Sequence, residues 1–245
     1  MDEIIFNFKN KNFLVTGASS GIGRQITKEL AMAGAKILAL ARDEGKLKAL
    51  QEEIFGDICI NSVDVTNYDR VEKCIDVFVT QHGKLHGSVH AAGIIDFTPL
   101  RAFNMEQAKK IMDTSFWAGI NVLQLATKRK YAEDCSSHVQ ISSVNAYRGQ
   151  RGLSAYGAVK AATPAAIRAI AKEIASRGHR VNSVSPGLVN TDMTRQNLLS
   201  DNLLENYLLG MGNPEDVSGL VLFLLSNRAR WITGADFIVD GGYLA

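Results

Sequence analysis

Short apolar runs recur along this chain, and between them apolar residues return every third or fourth position. The runs NFLVTG (12–17), KILALA (36–41), CINSVD (59–64), GSVHAA (87–92), HVQISS (138–143), RVNSVS (180–185) and DFIVD (236–240) read as seven strands. They are too short for helices and apolar enough to be buried on both faces. After the first run, Ile22, Ile26, Leu30 and Ala33 fall on one face of a helix. Strand then helix, repeated, predicts an α/β fold: a Rossmann-type, doubly wound, seven-stranded parallel sheet with helices on both faces. No repeat or low-complexity linker divides residues 1–245, so one domain is expected.

The first strand runs straight into Gly17, Ala18, Ser19, Ser20, Gly21, Ile22 and Gly23, and a helix follows at once. Glycines there allow a sharp turn and a close approach of a pyrophosphate, and the helix N-terminus offers free N–H groups. The spacing is G-x-x-x-G-x-G rather than G-x-G-x-x-G, but its place between strand and helix predicts a dinucleotide site. The second strand ends at Ala41, followed by Arg42 and Asp43. An acid there suits the ribose hydroxyl of NAD, and a guanidinium suits the 2′-phosphate of NADP. Arg42 favours NADP(H), with NAD(H) possible through Asp43.

Tyr156 and Lys160 stand four apart in SAYGAVKAA, after a strand ending at Ser142 and Ser143. Residues i and i+4 share a helix face, so an ammonium would sit beside a phenol and lower its pKa. A general acid results, able to protonate a carbonyl oxygen as hydride arrives, with the Ser143 hydroxyl holding that oxygen. A routine amphipathic helix with a buried tyrosine is the bland alternative.

At this point the chain resembles the short-chain dehydrogenase/reductase family over essentially its whole length. TGASSGIG (16–23), Asp64–Val65, HAAG (90–93), Ser143, the Tyr156/Lys160 pair, SPGLVNT (185–191) and ITGADFIVDGG (232–242) carry the likeness in order. The resemblance implies that Tyr156 is the proton donor and acceptor, and that Lys160 binds the nicotinamide ribose. It implies that Ser143 orients the substrate carbonyl and that Asp64 and Val65 meet the adenine. Ala91 and Gly93 would line the nicotinamide ribose, and Pro186, Gly187, Val189 and Thr191 the carboxamide and pyrophosphate. A family Asn, whose carbonyl anchors a water in the proton path, is replaced by Ser115. The usual NNAG reads HAAG, with His90 and Ala91 in place of two amides. Pro164 falls inside the predicted catalytic helix and should bend it. The nearest functional likeness is to 3-oxoacyl-carrier-protein reductases. A sugar or polyol dehydrogenase, or a dinucleotide-binding sensor without turnover, are the alternatives. Homodimers or homotetramers are implied, packed through the helices 158–176 and 116–125.

The segment 192–212 resembles a substrate lid, in which Leu198, Leu199, Leu203, Leu204, Leu208 and Leu209 suggest an apolar face. Arg148 and Arg151, just before Tyr156, are either grips for an anionic substrate or solvated loop charges. His82, His86 and His90 stand four apart, but Gly83 and Gly87 interrupt them and no acid or thiol cluster joins them, so no metal is expected. A net charge of +2 gives no reason to expect nucleic acid. The acidic start and the absence of a long apolar run predict a cytoplasmic protein with no membrane partner. Cys59, Cys74 and Cys135 are expected as reduced thiols.

Overall fold

The computed structural model describes residues 5–54, 56–197 and 201–245, without the side chains of 196, 197 and 201–203. Seven parallel strands form one sheet: β1 (Asn12–Thr16), β2 (Lys36–Ala41), β3 (Ile58–Ser62), β4 (Leu85–His90), β5 (Ala132–Ile141), β6 (Arg180–Pro186) and β7 (Asp236–Val239). Their order in space is β3-β2-β1-β4-β5-β6-β7. The chain steps outward from β1 to β3 on one side, then resumes at β4 on the other. The carboxyl ends of β1 and β4 therefore flank the switch point where open α/β sheets bind ligands.

Alternation along each strand feeds two cores. Val15, Ile37 and Ala39 pack with Ile26 and Leu30 of α1 (Gly21–Met32) and with Val217, Val221 and Leu222 of α8 (Pro214–Leu225). Their neighbours Leu14, Leu38 and Leu40 face the opposite layer. There they meet Val71, Ile75 and Phe78 of α3 (Tyr68–His82), and Val122 and Leu125 of α5 (Ala118–Ala126). A run that is apolar at every position is thus the signature of a strand covered twice.

The seven expected strands are all present, but several stop about two residues early. Residues 63–65, 91–93 and 142–143 leave the sheet at its carboxyl edge, and several of the residues expected at the site are among them. β5 begins earlier than its apolar run, at Ala132. A register shift lies between the Leu85–Ala132 and Gly87–Ser137 pairs, and Cys135 adopts φ of 62°.

The helices are capped by side chains the sequence supplies. Asp43 accepts from the Lys46 N–H at 2.9 Å to start α2 (Glu44–Glu53), and Asn67 accepts from Arg70 at 3.1 Å to start α3. Asn213 and Asp216 form a capping box around Pro214. A second long helical run joins α4 (Met105–Met112) to α5 through a π-turn, Asp113–Trp117. The next helix, α6 (Ser154–Ile174), continues through Pro164. Among the described residues no helix is long and apolar enough to cross a membrane. Cys59, Cys74 and Cys135 are free thiols.

Candidate active site

A crevice opens at the carboxyl ends of β1 and β4. Its wall carries Gly17, Ser19, Ser20, Gly21, Ile22 and Gly23 from the loop into α1, Arg42 after β2, and Asp64 and Val65 after β3. Ala91 and Gly93 follow β4, Ser143 follows β5, and Tyr156 and Lys160 rise from α6. Pro186, Gly187, Val189 and Thr191 close the far side.

The glycine loop is a cradle whose space is already taken. Gly17 has φ of 68°, and a Cβ there would lie 2.6 Å from the Ala92 nitrogen. At Gly23 a Cβ would lie 2.4 Å from the Gly17 carbonyl oxygen. The loop is therefore pressed onto the end of β4 and onto itself, which only glycine permits. Ser20 occupies the N-cap position of α1 without using its hydroxyl as a cap. That hydroxyl and the first N–H groups of α1 lie at the crevice wall, a donor set that fits a pyrophosphate.

At the end of the crevice formed after β3, the Thr66 backbone N–H beside Asp64 holds its carboxyl below the usual carboxylate range. The Thr66 hydroxyl, Arg42 and Lys110 add to this against some desolvation. Asp43, the alternative ribose ligand read from the sequence, caps α2.

The chemistry-bearing groups meet at the other end. Tyr156 is half-buried, and its phenol lies beside the Ser143 hydroxyl at the crevice wall. Lys160 Nζ lies 5.6 Å from the Tyr156 ring centre and donates to the Ile141 carbonyl at 2.9 Å. The expected lowering of the Tyr156 pKa is not found in this geometry. Burial pushes the phenol up, and the neighbouring Ser143 hydroxyl offsets only part of that rise. Burial also brings Lys160 down to about 8, and its ammonium is turned to the strand carbonyl rather than to the phenolic oxygen. Desolvation disfavours the charged form of each group.

Pro164 has a local role that the sequence did not reveal. A proline has no N–H, so the Lys160 carbonyl four residues earlier loses its helical partner. The Ser142 hydroxyl donates to that carbonyl instead, at 2.7 Å. Lys160 is thus tied to the end of β5 at both its backbone and its ammonium.

Ser115 lies in the π-turn, buried below the crevice, and its hydroxyl accepts from the Ile94 N–H at 3.2 Å. A Cβ on Gly93 would stand 3.3 Å from the Ser115 hydroxyl and 3.7 Å from Lys160 Nζ, so the three positions adjoin. The π-turn had no signal in the sequence, since no residue type demands it; such turns recur at functional sites. His90 is buried with its Nδ1 2.8 Å from the Thr16 hydroxyl. Its Nε2 is buried without a hydrogen-bond partner among the described residues. Burial, with help from the Lys160 charge, drives His90 down to about 3, so it is neutral. His82 contacts Cys59 and Lys36 instead, and His86 accepts from Asn12, so the three histidines do not converge.

Beside Ser143 and Tyr156 a smaller hollow is lined by Ile95, Phe97, Val144, Asn145, Gln150, Leu153, Leu188 and Tyr207. Arg148 does not reach it as an anion grip: it donates to the Tyr243 carbonyl at 3.1 Å and stacks on that ring. Arg151 is exposed and lines neither the crevice nor the hollow. The segment 192–212 begins as α7 (Asp192–Asn197), and Lys46 reaches Asp192 at 3.3 Å. Leu198 and Leu199 lie outside the described residues, as does the side chain of Leu203. Leu208 and Leu209 face outward, 75% and 87% exposed, so they form no apolar wall over the hollow.

A family model described as Enoyl-(Acyl carrier protein) reductase matches residues 17–244. The chain belongs to the short-chain dehydrogenase/reductase family. As a member, it is an NAD(P)-dependent oxidoreductase acting on carbonyl or alcohol groups. A 3-oxoacyl-[acyl-carrier-protein] reductase of Chlamydia muridarum is 34% identical over 95% of this chain and 97% of its own. The protein of the same description from Staphylococcus aureus strain Mu50 is also 34% identical, over 95% and 97%. A Brucella melitensis short-chain dehydrogenase/reductase described as glucose/ribitol dehydrogenase superposes with a TM-score of 0.92 at 28% identity. That match covers 98% of this chain and 99% of the other. One from Mycobacterium ulcerans gives 0.90 at 32% identity, covering 98% and 91%. The short-chain dehydrogenase/reductase fold thus accounts for nearly the whole chain.

Proposed function

We propose that this protein reduces 3-oxoacyl thioesters with NADP(H), and that Tyr156 delivers the proton. The observation that carries the reading is the convergence of the Tyr156 phenol, the Ser143 hydroxyl and the Lys160 ammonium at one end of the glycine-loop crevice. The bound dinucleotide would supply the hydride. Gly17, Ser20 and Gly23 would receive its pyrophosphate, Arg42 its 2′-phosphate, and Asp64 and Val65 its adenine. Ala91, Gly93 and Lys160 would flank its inner ribose, and Pro186 to Thr191 its carboxamide side.

Ser143 and Tyr156 would both donate to the substrate carbonyl oxygen, which gains negative charge as hydride arrives. Tyr156 then gives up its proton as the alcohol forms. Burial keeps the phenol protonated at neutral pH, the state required for reduction. Lys160 stabilises the phenolate that remains, and the Ser115 π-turn lies where a relay to solvent would pass. The 3-oxoacyl specificity draws support from the curated relatives and from the apolar half of the hollow, Ile95, Phe97, Leu153 and Leu188. Asn145 and Gln150 in the same hollow, with the likeness to a glucose/ribitol dehydrogenase, favour a polyol substrate as the second reading. Segment 192–212 would act as the lid, and self-association would engage the helix that carries Trp117, 52% exposed.

NADPH oxidation with 3-oxoacyl thioesters, enoyl thioesters and sugars tests the reading. Turnover is expected with the first class, and Tyr156→Phe should lower kcat by at least about 100-fold with cofactor affinity little changed. An undiminished rate in Tyr156→Phe would remove the assigned acid. NADPH binding without turnover of any substrate would favour the sensor.

A further inference from the structure

Three segments distant in sequence meet in one stack beside the substrate hollow. The Arg148 guanidinium carbon lies 4.5 Å from the centre of the Tyr243 ring, and Arg148 also donates to the Tyr243 carbonyl at 3.1 Å. The Tyr243 ring lies 4.5 Å from that of Tyr207, with 14° between their planes. Both rings are buried, and they share a cluster with Val144, the residue after Ser143. Tyr207 lines the hollow.

The 240–245 turn is built to deliver Tyr243 to this place. Asp240 accepts from the N–H groups of Gly242 at 3.0 Å and Leu244 at 2.9 Å. The Gly241 carbonyl accepts from the Leu209 N–H at 3.0 Å, which joins the turn to the end of segment 192–212. On the other side Gly187 has no room for a side chain: a Cβ would lie 2.9 Å from the Tyr207 ring. Tyr207 is therefore fixed from two directions, by Tyr243 and by the loop after β6.

Resting on the reading of Ser143 and Tyr156 as carbonyl ligands, we propose that Tyr243 is a positioning residue that sets substrate specificity. Through its stack it holds Tyr207 as the wall of the hollow and, through Arg148 and Val144, keeps that wall in register with Ser143. Aromatic stacking and a cation over the ring face resist displacement more than apolar contact alone. The wall would limit the acyl chain, while the reacting carbonyl stays on Ser143 and Tyr156.

The test compares wild type, Tyr243→Phe and Tyr243→Ala on 3-oxoacyl thioesters of rising chain length. With Tyr243→Ala, the ratio of kcat/KM between long and short substrates should change on the order of tenfold, carried by KM. Its NADPH affinity and its kcat on the shortest substrate should stay near wild type, and Tyr243→Phe should match wild type throughout. Identical chain-length profiles for all three would overturn the proposal. If wild type turns over no thioester, the reading of the reaction has failed separately, and amide hydrogen exchange decides the stack. Faster exchange at Arg148 and at 207–210 in Tyr243→Ala, but not in Tyr243→Phe, supports it; unchanged exchange overturns it. Should Tyr243→Ala not fold, Arg148→Met takes its place in both measurements, with the same two outcomes.

Discussion

The Ser142 hydroxyl donates at 2.7 Å to the Lys160 carbonyl, the acceptor that Pro164 leaves without a helical partner. A proline within a helix is ordinarily a defect. Here its cost is offset by a bond that fastens α6 to the end of β5, next to Ser143. Ser142→Ala should destabilise the protein by about 1–3 kcal/mol, since a buried carbonyl is left unpaired. Ser142→Ala/Pro164→Ala restores an N–H at 164 and should recover much of that loss. Denaturant titration of the two single variants and the double variant reads the coupling; purely additive effects would refute it.

Arg42 is exposed at the crevice wall after β2, and its carbonyl accepts from Ser62 at 2.9 Å, which pins its backbone there. Asp43 is committed to the cap of α2. Arg42→Asp should therefore shift the NADPH/NADH ratio of kcat/KM toward NADH by about 100-fold or more, through loss of a forked phosphate contact worth roughly 1.5–3 kcal/mol and repulsion by a new carboxylate. Steady-state rates with both cofactors measure it. An unchanged ratio would place the 2′-phosphate contact elsewhere.

Two glycines separate constraint from mere presence. A Cβ at Gly23 would lie 2.4 Å from the Gly17 oxygen, so Gly23→Ala should displace the loop and weaken NADPH binding at least about tenfold. In the interior of α8, Gly219 has open space around it. Gly219→Ala should stabilise the chain by roughly 0.5–1 kcal/mol and leave NADPH affinity as it is. Fluorescence titration and thermal melting distinguish the two.

Burial holds both His90 and His138 down to about 3 in the folded chain. Unfolded histidines titrate near 6.5. With the folded pKa depressed, the unfolded state takes up protons first as pH falls, so stability is complete above about 6.5 and declines toward 3. Each histidine should cost about 2 kcal/mol between pH 7 and pH 5. His138 bridges Ser88 and Ser136 at 2.8 Å on each side, so His138→Gln will be less stable at pH 7. It should nevertheless lose less between pH 7 and pH 5 than wild type does. Equal losses in urea titrations at the two pH values would show that His138 does not titrate in this way.

Much of the fold was legible because its pattern is local. A parallel strand buried on two faces must be apolar throughout, so NFLVT and KILALA announced themselves. The glycine loop and the Tyr156–Lys160 spacing were equally plain. Other features arose from distance. Nothing in the residues 113–117 required a π-turn, and nothing near Arg148 announced that Tyr243 would draw it away from the hollow. The phenol shift changed sign for a similar reason: a spacing of four fixes which groups are near, but only the surrounding protein fixes how much water they lose.

By itself, then, the chain determined its strand and helix order, its tight glycine loop and the pairing of Tyr156 with Lys160, because periodicity, glycine content and i,i+4 spacing act over a few bonds. Tertiary structure decided where Pro164 finds its compensation, how Tyr207 is held and how far Tyr156 and Lys160 titrate. Those outcomes depend on desolvation and on contacts made across many tens of residues, such as that between Arg148 and Tyr243, 95 positions apart.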